Sequence, residues 1–477
     1  MASRPHERLD GSMSLMPPMA LAAGHAEQWL VDLAHRPVPA SASYDEMLAA
    51  LGGDLPSGPV PPGTVVDELA TAIRPGLTAM SGGRFFGFVI GGSLPAAMAA
   101  DWLVSVWDQN SGLIAPTPGT AAAEAVAAGW LVDVLGLPPE TSVGFVTGGC
   151  MANTTCLTVA RHHVLAAVGW DVEEQGLHGA PTVHVITSEE RHATIDVALR
   201  YVGFGAATAR KVGTDDQGRI LLAGLAAALA EAGGGPTIVT LAAGNVNTGA
   251  FDPLAEAIAM AHEAGAWVHV DGAFGLWAAA SSEHRHLVRG VEAADSWATD
   301  GHKWLNVPYD CGLAMTRHLA SHRAAMGVHA AYLTETQGPP DPLELVPEFS
   351  RRARGVPVYA ALRSLGRDGV ADLVARCCGH ATRTAELLGA LDGVAVLNDV
   401  VLNQVLLRFD DDDATTRAVV QAVVDAGAVY LSGPTFKGRA GMRVSVSSWA
   451  TTDDDIDVLV DAVTRALHAV RVGDWAP

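Results

Sequence analysis

The stretch WVHVDGAFGLWAAASSEHRHLVRGVEAADSWATDGHKWLNVPYDCGL, Trp267–Leu313, decides the fold. A largely apolar run from Ala266 to Val270 stops at Asp271, and a second strand-like run, Ser296 to Thr299, meets Asp300-Gly301-His302-Lys303. Buried strands that close on an acid and on an amine aim both groups at one point beyond the strand ends, where open α/β sheets bind ligands. Lysine is scarce here: of 30 basic residues only Lys211, Lys303 and Lys437 are lysines. Where arginine fills almost every cationic position, a retained lysine points to amine chemistry that a guanidinium does not perform. Lys303 also lies between apolar segments and beside Trp304, a setting that desolvates an amine. Taken alone, the same few residues fit an exposed lysine at a strand end equally well.

Outward from this stretch, short apolar runs alternate with amphipathic helices. Strands are predicted at Val143–Thr147, Thr182–Thr187, Thr237–Leu241, Trp267–Val270, Ser296–Thr299 and Gly312–Thr316, and helices at about 152–167, 190–201, 219–232 and 252–264. Strands apolar on both faces that alternate with helices predict a mostly parallel sheet covered on both sides. After Leu345 the rhythm changes: helical patterns at 357–391, 414–427 and 453–470 surround strand-like runs at Asn403–Phe409 and Met442–Ser447. The expected organisation is a helical arm over 1–75, a large α/β domain over 76–345 and a smaller α+β domain over 346–477. The arm cannot bury its apolar faces alone.

Composition sets bounds. The chain has 477 residues, 49% of them hydrophobic, and a net charge of −22, which argues against nucleic acid and anionic membranes as partners. Five scattered cysteines without a CxxC pair fit a reduced, cytoplasmic protein. No apolar run reaches transmembrane length without a charge or proline. The histidines lack metal-ligand spacing, so no metal is predicted.

Thr147-Gly148-Gly149-Cys150-Met151-Ala152-Asn153 reads as a strand-to-helix turn in which glycines and free N–H groups favour an anion. Together with H-V-D-G-A at 269–273 and D-G-H-K-W at 300–304, this turn resembles the cofactor site of the group II amino acid decarboxylases, which include the aromatic-L-amino-acid and glutamate decarboxylases. The resemblance runs from about Phe85 to the C-terminus. It implies pyridoxal 5'-phosphate (PLP), the aspartate aminotransferase-like α/β fold of PLP fold type I, and a homodimer across which the N-terminal arm packs. Carried over by position, Lys303 is the residue that bonds the cofactor, Asp271 partners its pyridine nitrogen and His192 stacks on its ring. Gly149, Cys150 and Met151 cradle the phosphate, Ala273 packs under the ring, and Asp300 and His302 border the phosphate or the substrate carboxylate. A thiol role for Cys150 stays open.

The implied reaction is decarboxylation of an L-amino acid, with Lys303, His192, Asp271 and His302 as catalytic residues. Phe86, Phe88 and Ile90, in the aromatic, glycine-rich segment Gly82–Pro95, are candidate pocket walls and equally ordinary core residues. Trp102, Trp107 and Asn110 are further candidates, reaching the pocket across the dimer that the resemblance implies. Arg443 is a candidate carboxylate ligand or a structural partner. Two departures from the family pattern stand out. Asn245 and Val246 replace hydroxyl side chains, and Leu333–Val358 contains no tyrosine where decarboxylases of the family carry one on a mobile loop; Tyr332 and Tyr359 flank it. These departures leave open other PLP chemistry, either C–C bond cleavage or aldehyde-forming oxidation, and less readily a PLP-binding protein without catalysis.

Overall fold

The computed structural model describes residues 16–327 and 338–475. Its centre is a seven-stranded sheet in the order β1-β7-β6-β5-β4-β2-β3. The strands are β1 Ser142–Val146, β2 His184–Ser188, β3 Arg210–Val212, β4 Thr237–Ala242, β5 Trp267–Asp271, β6 Ser296–Asp300 and β7 Gly312–Thr316. Only β7 runs against its neighbours; β2 to β6 are mutually parallel. The expected mostly parallel α/β sheet of fold type I is therefore present.

The six expected strands form within about two residues of their predicted bounds. β3 was not anticipated, because three residues at a sheet edge are too short to show a period. The strands run apolar on both faces because helices cover both. The β4, β5 and β6 side chains are buried almost throughout, and Trp277, Trp297 and Trp304 are among the largest wholly buried residues.

The β5–β6 pairing places Asp271 opposite Ala298, so the acid ends its strand level with the close of β6. Ala273 then ties the two exits together: its carbonyl accepts the Asp300 N–H at 2.9 Å and the Thr299 hydroxyl at 3.2 Å. On the far side, β1 delivers the glycine turn into the helix Gly149–Ala166. Close packing dictates small residues along this edge. A Cβ at Gly312, which opens β7, would stand 2.4 Å from the Gly148 carbonyl carbon.

Beyond the sheet, a long helix at Gly355–Gly389 bends at Gly366 (φ 63°) and leads into a three-stranded antiparallel sheet of Val394–Val396, Gln404–Phe409 and Met442–Ser445. Helices Asp413–Asp425 and Asp453–Val472 pack with it. The N-terminal helices Met16–Asp32, Tyr44–Leu51 and Pro62–Ile73 contain no buried residue, and Val31, Leu48 and Leu69 are each about half exposed or more. Among the described residues no helix is long and apolar enough to cross a membrane.

One buried ion pair braces the strand that feeds the glycine turn. Arg351 donates to both carboxylate oxygens of Glu124, at 2.8 and 3.0 Å, to the Ser111 carbonyl, and at 3.1 Å to the Phe145 carbonyl of β1. Burial drives the Glu124 pKa upward while Arg351 opposes that shift. Removing the guanidinium strands a carboxylate in the core. Arg351→Ala should lower unfolding stability by about 3–5 kcal/mol, read from urea denaturation; a loss under about 1 kcal/mol would show that the pair is not a brace.

Candidate active site

Asp271, Lys303 and His192 line one pocket at the carboxyl edge of the sheet, together with Ala273, Phe88, Val89, Phe274 and Val246. β5 delivers the acid, the turn after β6 delivers the lysine, and the turn after β2 delivers the histidine. Asp271 is buried, and a carboxylate in such a place needs donors. It accepts the Ala273 N–H and the Asn153 side-chain amide, each at 3.2 Å.

His192 is the N-cap of the helix Ala193–Tyr201. Its Nδ1 accepts the Thr194 N–H at 3.3 Å and lies 2.8 Å from the Thr194 hydroxyl. The neutral ring therefore carries its proton on Nε2. An edge of the ring meets solvent, but the surrounding protein strips much of its hydration and lowers its pKa. Asp271 pulls the pKa back up, and Lys303 and Arg443 push it down again.

Lys303 does not pair with Asp271. Its Nζ lies 2.8 Å from Asp300 Oδ2, and Asp300 is almost fully buried, with its other oxygen lacking a hydrogen-bond partner. His302 sits beside this pair, its Nε2 3.5 Å from Asp300 Oδ1. Its Nδ1 accepts the Cys311 N–H at 3.1 Å, and its ring stacks on Tyr309 at 4.3 Å. Burial lowers the His302 pKa, against the opposing pull of Asp300.

The glycine turn closes the other end. Gly148 caps the helix Gly149–Ala166, whose first N–H groups have no acceptor within the helix. A Cβ at Gly149 would come 2.6 Å from Asp300 Oδ2, so the absent side chain keeps this end open. Burial, then the Asp300 charge, raises the Cys150 pKa and keeps it a thiol. Met151 packs against the cluster of Val146, Ala152 and Cys156.

The expected walls need correction. Phe86 is a core residue, and Ile90 packs against the cluster of Val38, Ala79 and Phe85. Phe88, the third expected wall, does line the pocket, joined by Val89, because both take positive φ (61° and 76°) and reverse the chain. For the β-branched Val89 this conformation is strained, a cost typical of ligand-facing segments. Trp102, Trp107 and Asn110 do not line the pocket of this chain; Asn110 instead accepts the Arg351 N–H. Tyr332 and residues 333–337 of the tyrosine-free segment lie outside the described residues.

Asn153 and His269 lie within the quoted motifs at 147–153 and 269–273, but the sequence assigned neither a role of its own. Arg443 is buried near the site and has no carboxylate partner among the described residues; it donates to Asn247 Oδ1 at 3.1 Å, and its desolvation lowers its pKa to about 10. Among the described residues no group of three or more His, Cys, Asp or Glu is disposed to hold a metal.

An amine, a donor-fed carboxylate and an imidazole in one pocket, with an open helix N-terminus beside Asp300, fit PLP. The comparisons agree. Aromatic-L-amino-acid decarboxylase of Bacillus atrophaeus is 26% identical over 444 residues, covering 90% of each chain. L-2,4-diaminobutyrate decarboxylase of Rhizobium meliloti is 28% identical, covering 80% of this chain and 77% of its own. In three dimensions the chain superposes on Oryza sativa TDC, solved with PLP and tryptamine, with a TM-score of 0.89 at 22% identity, covering 97% and 99% of the two chains. Rhodiola rosea 4-hydroxyphenylacetaldehyde synthase gives 0.85 at 20% identity, covering 97% and 99%. The family model described as the pyridoxal-dependent decarboxylase conserved domain matches residues 46–410, and the chain thus belongs to the family of PLP-dependent decarboxylases.

Proposed function

We propose that this PLP-dependent carboxy-lyase decarboxylates an L-amino acid with an aromatic or other apolar side chain. The observation that carries the reading is the meeting of Lys303, Asp271 and His192 in a pocket whose other walls include Phe88, Val89, Val246 and Phe274. An apolar wall favours an apolar side chain. The relative from Bacillus atrophaeus, named for aromatic amino acids, supports that choice; the diaminobutyrate relative shows that the family admits cationic side chains as well.

In this reading Lys303 holds the cofactor's aldehyde carbon, and Asp271 keeps the pyridine nitrogen protonated. Gly149, Cys150 and Met151 present backbone N–H groups to the phosphate, with Asp300 and His302 at its border. Ala273 and His192 flank the ring. When bound, PLP supplies an electron sink for the pair released as CO2 departs. The chain's own residues decide which bond breaks, because they fix the substrate's orientation. Arg443, a buried cation without an anion, is placed to draw a carboxylate toward the site. His192, with its proton on Nε2, holds a donor toward the pocket. We also propose that the exposed apolar faces of the N-terminal helices are covered in a homodimer, with 1–75 as the dimerisation arm, 76–345 as the cofactor-binding domain and 346–477 as the small domain.

A second reading, formation of an aldehyde by oxidative decarboxylation, is favoured by Val246 at a pocket position where many family members carry threonine. The two are separated by incubating the loaded enzyme with a panel of L-amino acids and following CO2, amine, aldehyde and hydrogen peroxide together. Amine and CO2 in equal amounts from an aromatic or aliphatic substrate is the expected result. Aldehyde with peroxide would replace the first reading by the second, and no CO2 from any amino acid would defeat both.

Asp300 makes a further prediction. Its Oδ2 lies 2.8 Å from Lys303 Nζ and borders the glycine turn, where a Cβ at Gly149 would meet it. Asp300→Asn should tighten equilibrium PLP binding to the apoenzyme by about tenfold, the effect of removing one like charge at contact range. Weaker binding would mean that the carboxyl contacts the cofactor favourably.

A further inference from the structure

Behind the pocket runs an unbroken set of hydrogen bonds that ends on both Asp271 and His192. Trp267 Nε1–H donates to Ser296 Oγ at 3.0 Å, and Ser296 Oγ lies 3.0 Å from His269 Nδ1. His269 Nε2 lies 2.9 Å from Asn153 Oδ1. The Asn153 amide then donates twice, to Asp271 Oδ2 at 3.2 Å and to Thr194 Oγ1 at 3.3 Å, and Thr194 Oγ1 is 2.8 Å from His192 Nδ1.

One arrangement of protons satisfies every member. A neutral His269 has one donor, and an ionised Asp271 only accepts, so the asparagine turns an N–H toward Asp271 and its oxygen toward His269. His269 must then carry its proton on Nε2, which leaves Nδ1 to accept the Ser296 hydroxyl while Ser296 Oγ accepts the indole N–H. The second amide N–H faces Thr194, whose hydroxyl passes its proton toward His192 Nδ1. The direction of the whole set therefore follows from the acid at its end.

The burial supports this rigidity. Asn153, His269 and Ser296 are wholly inaccessible to water. Burial pushes the His269 pKa down to about 3, so it stays a neutral ring with one donor. The charged groups that act on His192 are Asp271, Lys303, Arg443 and Asp300.

We propose that Asn153 is a positioning residue that couples the two cofactor-facing groups, holding Asp271 ionised and His192 in its Nε2–H form through one amide oriented by His269. The proposal rests on the reading of Asp271 and His192 as the PLP partners. It goes beyond that reading by assigning the charge of the one and the tautomer of the other to a shared buried source. Among the described residues the Asp271 carboxylate accepts one other hydrogen bond, from the Ala273 N–H.

The test uses apoenzyme refilled with PLP, with cofactor affinity and the pH titration of the bound cofactor's absorbance as readouts, and thermal melting of the apoprotein as a check on folding. Asn153→Leu keeps the bulk and removes both donors. It should weaken PLP binding by about ten- to a hundredfold, the range for stranding a buried polar group, and shift the pH midpoint of the absorbance. Asn153→Asp sets a second acid beside Asp271 and should be worse. Thr194→Val, at the partly exposed end, cuts only the His192 branch. It should leave affinity within about threefold and still move the pH midpoint, because the two hydrogen bonds of its hydroxyl, to Asn153 and His192, are lost without touching the Asn153–Asp271 bond. Replacing His269 by Ala should reproduce the Asn153→Leu effect, and His269→Gln, which restores an N–H, should recover part of it. If Asn153→Leu and Thr194→Val both leave affinity and pH midpoint unchanged, the coupling is refuted. If Asp271→Asn itself leaves PLP affinity unchanged, the site reading fails instead, so the two failures are distinguishable.

Discussion

A carboxylate buried at the end of a strand is costly unless donors surround it, and much of this molecule's interior is arranged to provide them. Asp271 closes β5 with its charge facing the pocket. The segment just after the strand supplies one N–H, and a helix that starts at the glycine turn supplies the other through Asn153. That helix packs across the sheet, and its own start lies beside Asp300, so one element reaches both acids. Parallel strands make this possible, because their carboxyl ends and the helix starts that follow them gather on the same edge.

The same edge is crowded with opposing charges. Asp300 and Lys303 neutralise one another within the pocket, while His302 stays uncharged between them and the solvent side. Asp300 holds the Lys303 amine at 2.8 Å, so the lysine of the pocket is engaged within its own turn. Arg443, buried and without a carboxylate partner among the described residues, adds a cation near a pocket lined by both apolar and polar side chains.

Much of this was legible in the sequence, and for physical reasons. Apolar runs stopping at Asp271 and before Lys303 marked buried parallel strands, and the scarcity of lysine marked the amine. The glycine turn could be read because close backbone approach permits little else. What stayed hidden depended on three-dimensional closure. Asn153 lies one turn inside a helix, where an asparagine carries no local signal, and its partners come from segments more than a hundred positions away. Phe86 and Phe88 look alike in the chain; the two consecutive positive-φ residues at 88 and 89, which no periodicity announces, decide which of them meets the ligand. The Lys303–Asp300 pair was missed because attention fell on the acid of the neighbouring strand rather than on the one a single turn away.

The account stands on Lys303 being the one amine that bonds the cofactor. Reduction of the PLP-loaded protein with borohydride fixes that bond permanently, and digestion followed by mass spectrometry finds which residue carries it. The label should fall on the peptide containing Lys303. A label on Lys211 or Lys437, or none on any lysine of a protein that retains its PLP absorbance, would contradict the account.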